Sequence, residues 1–512
     1  MFIHDQYKLY RMAHTFINEH DYKLLHVDNE HDTIWLEKYK HNHSFVIRLT
    51  LNGFDWKNHL KQDMLQTLQI IDSSQRFITG KTVEFYNIYI SSHAPVDDWH
   101  DLQRPVKVKR HKTTIMHLFY FDRENFFDEH RRFSNLTTIA MDWIYDIPSE
   151  TYAEQFVMAY KNKLLQLKKV QKEKARQILS FGKPRLTYFL IAINVLIFIL
   201  VELTGGSADI EHLIHSGAKY NPYIIDGEWW RIISSMFLHI GFLHLFMNML
   251  ALYYLGHAVE RIFGTLRFLI IYMLAGIGGG LASFAFTIQV SAGASGAIFG
   301  LFGALLFFGA MHKQLFLQTM GRNLLIIIGI NIVFGFVVPQ IDNSAHLGGL
   351  ISGFIGATIV FLPNNKQMVK QWLATILYVV IAVFLALYGI NTHQEGSLYQ
   401  LHNIDEHLAN EQYDEAIALA TDNIKVDDEL LPQYLFQRGY AYIQTNKIDL
   451  AIADLEQCIS LTEEIPEAYY NLALLYYDTD QMSLAEETIT KAIELDPHNT
   501  MFKEFYDEIF ID

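Results

Sequence analysis

The order of hydrophobic and polar positions divides the chain into three zones. In the first zone, up to about residue 160, short apolar or alternating runs are separated by polar residues, and two stretches carry a helical pattern. This pattern predicts a soluble α/β or α+β domain over residues 1–160. The predicted strands are 33–38, 44–51, 83–91 and 113–121, and the predicted helices are 57–71 and 149–170.

The second zone contains seven apolar segments, each close to the roughly 20 residues that a helix needs to cross the hydrocarbon core. Such a series predicts a polytopic α-helical membrane domain with seven transmembrane helices over residues 186–390, embedded in a lipid bilayer. The predicted spans are 186–203, 241–259, 268–287, 294–311, 324–338, 345–362 and 372–390.

The third zone, residues 398–512, carries an internal repeat. Aligning Ala416, Ala451 and Ala485 gives steps of 35 and 34 residues, and Gly439 and Ala473 each lie 12 residues before the alanine of their unit. This spacing resembles the tetratricopeptide repeat, in which small residues let two antiparallel helices approach closely. It predicts an all-α solenoid that binds protein partners; a purely stabilising or spacing module is the alternative.

Charge adds the orientation of the chain. Residues 161–185 form a basic linker with nine Lys or Arg residues and one Glu, and they come directly before the first apolar segment. Because loops on the cytosolic side are enriched in Lys and Arg, this linker places the N-terminal domain in the cytosol of a cell-membrane protein. Seven spans then place the tail outside. Residues 391–512 have 26 acidic residues against 5 basic ones, and this acidic balance argues against nucleic acid as a partner.

Polar residues inside the apolar segments are the first candidates for chemistry, because hydrocarbon offers them no water. His244 and Asn248 lie four residues apart in the second segment, so both project from one helix face. Two converging donors in a site without water can stabilise a developing oxyanion. The alternative is that the pair only bonds neighbouring helices together.

The fourth and sixth segments begin with a serine and a histidine. Ser295 directly precedes a small-residue face formed by Gly296 and Gly300, and His346 precedes a second such face formed by Gly349 and Gly353. The G-x-x-x-G spacing permits very close helix contact. If these helices cross there, the hydroxyl and the imidazole meet, and a Ser–His pair is the minimum unit for nucleophilic catalysis. A serine that merely packs between helices is the alternative.

Other chemistries fit the sequence less well. Residue 297 is Ala and no strand precedes Ser295, so the nucleophile elbow of soluble hydrolases is disfavoured. The segments contain no H-E-x-x-H, and no carboxylate sits beside His239 and His244, which disfavours a metal protease. We therefore expect no cofactor and no metal in the membrane domain. Thirteen histidines in residues 1–130 leave a metal-sensing N-terminal domain as an alternative to a plain partner-binding domain.

Together these residues resemble the rhomboid family of intramembrane serine proteases. The resemblance covers residues 186–362 and keeps the family's order and spacing. It extends to the larger bacterial members, which combine six catalytic spans and one more with a soluble domain at each end. The matching positions are Gly227-Glu-Trp-Trp230-Arg231, then His239, His244 and Asn248, then Gly256 and Glu260, then Gly293-Ala-Ser295-Gly, and finally Ala345-His346 with Gly349.

The resemblance implies a role for each of these residues. Ser295 would be the nucleophile and His346 the general base, with His244, Asn248 and the Ser295 amide forming the oxyanion hole. Trp230 and Arg231 would belong to a membrane-embedded loop that braces the core, and Glu260 to a structural hydrogen-bond network. The substrates would be transmembrane proteins cut in or near their membrane segments. A rhomboid-like scaffold without proteolytic activity is the alternative.

Overall fold

The computed structural model describes residues 2–511 except 29, 75–77, 79, 110–111, 142, 144–146, 339–340 and 425–428. The chain forms two compact units. One consists of Met1–Phe181 with Phe308–Ile327, and the other of Gly182–Phe307 with Ile328–Asp512.

The N-terminal domain is a six-stranded mixed sheet with helices on both faces. Strands β3, β4 and β6 pair in parallel, while β1–β2, β2–β3 and β5–β6 pair antiparallel, in the order β1-β2-β3-β4-β6-β5. The strands are β1 Lys23–Asp28, β2 Thr33–Lys40, β3 His43–Thr50, β4 Thr82–Ile90, β5 Val106–Lys109 and β6 Thr113–Phe121. The helices are α1 Phe2–Asn18, α2 Lys57–Ser74, α3 Phe126–Thr137 and α4 Glu150–Leu179, with a short 3-10 helix at His100–Gln103.

Side-chain alternation along the central strands builds two apolar layers. On β4, Tyr86 and Ile88 face the layer formed with α1, α3 and α4, whereas Val83 and Phe85 face α2. Because successive side chains of a strand point to opposite faces, a strand that is apolar at nearly every position needs cover on both faces. The predicted α/β class is confirmed, and α4 continues through most of the basic segment 161–185 as helix.

The membrane domain is a bundle of helices, and the longest connection between two of its long helices runs from Gly205 to Ile240. Each of the seven predicted apolar segments coincides with a helix. The helices, including short ones in the loops, are α5 Leu186–Thr204, α6 Ile210–His215, α7 Asn221–Ile225, α8 Arg231–Ser234, α9 Gly241–Phe263, α10 Thr265–Phe286, α11 Ser295–Met311, α12 Lys313–Thr319, α13 Gly321–Val337, α14 Asn343–Val360 and α15 Met368–His393. A 3-10 helix at Ser235–Phe237 follows α8.

Length and apolar composition by themselves qualify four of these helices to cross a membrane, namely α5, α9, α10 and α15. The bent pair α12–α13 makes a fifth, and α11 is apolar but has only 17 residues. Helix α14 begins with polar and small residues, which lowers its mean hydropathy. The predicted serine and histidine lie at the polar first turns of α11 and α14.

The tail consists of three antiparallel helix pairs and a final helix. Ala416, Ala451 and Ala485 are fully buried between paired helices, and a Cβ added at Gly439 would lie 3.1 Å from Leu455 Cγ. Close helix approach therefore depends on the small residues that define the repeat. The helices are α16 Ser397–Ala409, α17 Tyr413–Asn423, α18 Leu431–Gln444, α19 Ile448–Leu461, α20 Pro466–Asp478, α21 Met482–Leu495 and α22 Thr500–Tyr506, with a terminal π-helical turn at Asp507–Ile511.

Candidate active site

Ser295 is the first residue of α11 and is half-buried. The chain reaches it through an irregular loop, residues 287–294, which we call the serine loop. Amides in the first turn of a helix have no helical acceptor, so the Ser295 N–H is free to bond a ligand. The helix dipole adds positive potential at the same point. A hydroxyl and an anion-binding amide are thus carried by one residue.

His346 lies in the first turn of α14, and its position is fixed by a cap and by a ring contact. The Asp342 carboxylate caps this helix by accepting a hydrogen bond from Ala345 N at 2.9 Å. The His346 imidazole stacks on the Phe299 ring, with centroids 4.0 Å apart and planes at 10°. Since Phe299 follows Ser295 by one helical turn, the imidazole lies against the same end of α11 that carries the serine.

The small-residue faces of α11 and α14 lie in direct backbone contact. A Cβ added at Gly349 would lie 2.0 Å from Gly296 O, and one at Gly353 would lie 2.1 Å from Gly300 O. Neither position can hold a larger residue without moving one helix. Beside Ser295, a Cβ on Gly296 would lie 3.4 Å from the carbonyl oxygen of Ala345, the neighbour of His346. The starts of α11 and α14 therefore lie against each other through the immediate neighbours of the serine and the histidine.

His244 approaches the serine from α9. A Cβ added at Gly293 would lie 3.0 Å from His244 Nε2 and 3.8 Å from Ser295 Oγ, so the absence of a side chain at Gly293 leaves open the space between these two groups. The His239 ring lies 5.3 Å from the His244 ring, and His239 Nε2 accepts a hydrogen bond from Ala294 N at 3.4 Å. Both histidines thus contact the segment that leads into Ser295.

Asn248 lies one turn beyond His244 on α9 and is buried. Its Nδ2 donates a hydrogen bond to the His244 carbonyl at 3.0 Å. An amide nitrogen carries two hydrogens, so one donor remains after this bond. In the structure Asn248 is tied to its own helix beneath His244 rather than bonded to Ser295 or His346.

The loop between α5 and α9, which we call the first loop, contains Trp230 and Arg231. The buried Arg231 guanidinium pairs with Glu228 and donates hydrogen bonds to the carbonyls of Ile214 and Ala218 at 2.6 and 3.1 Å. The Trp230 ring is half exposed and fills the space beside Gly217. These contacts join distant parts of the first loop to one another.

The tail contacts the first loop at Asp226, directly after α7. Helix α16 supplies both partners: Tyr399 Oη donates to one carboxylate oxygen at 3.0 Å, and His402 Nε2 lies 2.9 Å from the other. The His402 ring also packs 5.1 Å from the Tyr223 ring, on which the Arg231 guanidinium lies at 4.6 Å.

Glu260 lies at the far end of α9 and is fully buried. Its carboxylate accepts hydrogen bonds from the amides of Arg185, Leu186 and Thr187 at 2.9–3.0 Å and from the hydroxyls of Thr187 and Thr265 at 2.7 and 2.9 Å. Two of these donors, the amides of Leu186 and Thr187, belong to the first turn of α5 and have no acceptor within that helix, and a negative charge is stabilising there. Glu260 therefore joins α5, α9 and α10 at the end of the bundle away from Ser295.

One cavity lies beside Ser295 and another beside His346. A small one of about 20 Å³ lies behind Ser295 and is lined by polar groups that include Lys219, Ser235 and Ser283. A larger apolar one of about 370 Å³ lies beside His346 and is lined by Phe286, Phe299, Phe336 and neighbouring residues of α13–α15. Within the described residues, no group of three or more His, Cys, Asp or Glu side chains is arranged to hold a metal ion, and His111 lies outside those residues.

Two residues of the site were missed by the sequence reasoning. Asp342 caps α14, accepts a hydrogen bond from the Ser283 hydroxyl and acts electrostatically on the His346 imidazole. Lys219 is fully buried in the first loop. Signals for both were available: an Asp three residues before Ala345 is a typical N-cap, and Lys219 is the single Lys between the first two apolar segments, where a charged residue is a functional candidate.

Similarity to known proteins agrees with this geometry. A rhomboid domain matches residues 226–363, a TPR repeat matches residues 439–480, and a tetratricopeptide repeat matches residues 466–499. The chain belongs to the rhomboid family of intramembrane serine proteases, as a multi-pass membrane protein with a tetratricopeptide-repeat tail.

Among its relatives, the rhomboid protease GluP of Bacillus subtilis is 33% identical over 487 residues, which cover 92% of each chain. RHOMBOID-like protein 5 of Arabidopsis thaliana is 40% identical over 154 residues, 29% of this chain and 50% of that protein. Rhomboid-like protease 1 of Toxoplasma gondii is 33% identical over 195 residues, 35% of this chain and 66% of that protein. The relation to GluP therefore includes both soluble domains.

Proposed function

We propose that this protease hydrolyses peptide bonds in or near the transmembrane segments of other membrane proteins through a Ser295–His346 dyad. His346 removes the hydroxyl proton while Ser295 Oγ attacks the substrate carbonyl, and it then protonates the leaving amine. The resulting acyl-enzyme is hydrolysed by a water molecule that His346 activates in the same way. The reaction needs no cofactor, because nucleophile, base and oxyanion donors are all protein groups.

Three donors surround the place where negative charge develops. The Ser295 amide is free at the start of α11, His244 lies beside Gly293, and the second Asn248 hydrogen is unused. We assign these groups to the oxyanion hole. Donors that are already oriented, in a site shielded from bulk water, stabilise the transition state without reorganisation.

The observation that carries the proposal is the Phe299–His346 stack combined with the glycine contact of α11 and α14. The ring contact fixes the imidazole one turn from Ser295, and the glycines fix the distance between the two helices. A serine and a histidine that served only as packing residues would require neither constraint.

The test is cleavage of a generic transmembrane substrate by the full chain reconstituted in lipid. Ser295→Ala and His346→Ala should each abolish cleavage, and the double variant should be no worse, because the pair acts as a unit. Replacing both His244 and Asn248 by Ala should lower the rate by about 100- to 1000-fold. Ser216→Ala and His215→Ala, neighbours in the first loop, serve as controls that keep the parent rate. Cleavage by Ser295→Ala at the parent rate would contradict the serine mechanism.

We also propose that the N-terminal domain is cytosolic and the tail lies outside the cell. In the bundle, α5 begins beside Glu260, whereas α15 ends with His393 beside Phe284, at the opposite end of α10. The basic segment before α5 supports the cytosolic assignment of its end. Protease added to intact, wall-stripped cells should remove the tail and spare the N-terminal domain. The reverse digestion pattern would overturn this orientation.

The soluble domains are proposed to recruit protein partners, including substrates. Tetratricopeptide repeats in the tail support this role. Removing residues 431–512, which keeps the α16–α17 pair and its contact with the first loop, should preserve cleavage of a generic substrate and lower cleavage of a native one. Equal rates on both substrates would argue for a tail that only stabilises the protein.

A further inference from the structure

The serine loop carries Ser295 but has little structure of its own. It leaves α10 at Thr287 and reaches α11 at Ser295 without a helix or strand. Its described backbone bonds to other segments run to Lys219 and Ser235: Lys219 and Ser291 exchange two bonds of 2.9 and 3.1 Å, and Gly293 N donates to Ser235 O at 2.9 Å. The path of this loop is therefore set by the segments packed against it.

The Lys219 side chain adds two further attachments. Its Nζ donates hydrogen bonds to Thr287 O at 2.9 Å and to Gln289 O at 2.8 Å. Asn221 Nδ2 also donates a hydrogen bond to Thr287 O, at 3.0 Å. One residue thus holds the serine loop at residues 287 and 289 through its side chain and at residue 291 through its backbone.

The location of this lysine is costly. Its side chain is fully buried, and moving an ammonium group out of water is unfavourable unless hydrogen bonds replace the lost hydration. Burial lowers the pKa of Lys219 to about 8, and the Asp342 carboxylate acts in the opposite direction. A methionine would fill the same space without this cost, so the amine has a use beyond packing.

Lys219 lines the same small cavity as Ser295 but is bonded to the serine loop rather than to the hydroxyl. We propose that Lys219 is a positioning residue, which holds the serine loop so that the Ser295 hydroxyl and amide face His346 and His244. This inference rests on the proposed function of Ser295. A displacement of about 1 Å at a reacting group can lower a rate by about 100-fold.

The experiment compares Lys219→Met with a matched loss elsewhere in the membrane domain. Gln371 Nε2 donates to Ile359 O at 2.7 Å, so Gln371→Met also removes a side-chain bond to a carbonyl but lies away from the serine loop. Four quantities are measured on the full chain in detergent: the thermal midpoint, the rate of Ser295 labelling by a fluorophosphonate probe, and kcat and KM for a transmembrane substrate.

We expect Lys219→Met to lower kcat and the labelling rate by about 100-fold with KM nearly unchanged, whereas Gln371→Met lowers only the thermal midpoint. Lys219→Gln keeps an amide donor and should lose less. If Lys219→Met does not fold, the folded Lys219→Gln variant decides. Parent kcat and parent labelling in the folded variant would overturn the positioning role. The Ser295→Ala variant tests the proposed function separately. Cleavage by that variant at the parent rate would contradict the serine mechanism, whatever the Lys219 variants do.

Discussion

The Phe299 ring and the His346 imidazole lie face to face, 4.0 Å apart at their centroids. The stack joins the helix that carries the proposed nucleophile to the helix that carries the proposed base. It restricts rotation of the imidazole about its side-chain bonds without using either ring nitrogen. A base held in this way keeps both nitrogens available for proton transfer and for an orienting hydrogen bond.

Removing the aromatic ring should therefore slow the reaction. Aromatic contacts contribute about 0.5–1.5 kcal/mol beyond their buried area, so we expect Phe299→Leu to lower kcat by about 2- to 10-fold. Phe299→Tyr keeps the ring and should stay close to the parent rate. Steady-state cleavage assays of both variants test this expectation. A parent-like kcat in Phe299→Leu would show that the stack does not orient the base.

The glycine contact predicts a loss of stability. A Cβ at Gly353 would meet the backbone of Gly300, which has no flexible group to move aside. Overpacking of this kind costs about 1–3 kcal/mol, so Gly353→Ala should lower the thermal midpoint and also the cleavage rate. Gly329→Ala on α13 is the matched control, since a Cβ there meets nothing within 4 Å. The contact would be less tight than described if both variants behaved like the parent.

Glu260 predicts a stability effect at the opposite end of the bundle. Glu260→Gln replaces one acceptor oxygen by a donor that faces buried N–H and O–H groups. Hydrogen bonds to a charged group contribute about 1.5–3 kcal/mol, so the thermal midpoint in detergent should fall clearly. The exposed Glu211→Gln should leave it unchanged. Equal midpoints for the two variants would mean that the carboxylate does not hold α5.

Asp342 separates a capping effect from an electrostatic one. Asparagine also caps helices, so Asp342→Asn should keep the thermal midpoint, whereas Asp342→Ala should lose about 1 kcal/mol. Both variants remove the negative charge that acts on His346. We expect kcat to fall on the order of tenfold in each, because the imidazolium formed during attack loses a nearby counter-charge. A parent kcat in Asp342→Asn would assign Asp342 to capping alone.

Sequence patterns predicted the apolar helices of the membrane domain and the central strands of the N-terminal domain, and they missed several other elements of that domain. All seven apolar segments, the four predicted strands and the two predicted helices are present. Helices α1 and α3 were missed although both are amphipathic: on α1, the buried residues Tyr7, Tyr10 and Ala13 recur at steps of three residues. Strand β1 is interrupted by a bulge between Leu24 and His26, and β5 is a four-residue edge strand. Short or irregular elements are stabilised by tertiary packing that a local pattern does not contain.

The candidate site was predictable where spacing determines contact. Two G-x-x-x-G faces, each beginning next to a polar residue, predicted the backbone contact of α11 and α14 that lies next to Ser295 and His346. The contacts of Lys219 could not be predicted in the same way, because its acceptors are backbone carbonyls of a loop. Every residue has a carbonyl, so no residue type marks Thr287 or Gln289 as its partner.

The contact of α16 with Asp226 has a consequence for how shortened forms of this enzyme behave. Tyr399 and His402 belong to the tail, yet they bond a carboxylate in the loop that contains Arg231. Cutting the chain just after α15 therefore does more than detach a recruiting module: it strips two partners from Asp226 and one ring from Tyr223. A membrane core isolated in that way lacks these contacts of the first loop. Its kinetic constants therefore belong to an enzyme with an altered first loop. The natural place to divide this protein lies after the α16–α17 pair, because Ile404 of α16 packs with Ala416 and Ala420 of α17 in one buried cluster.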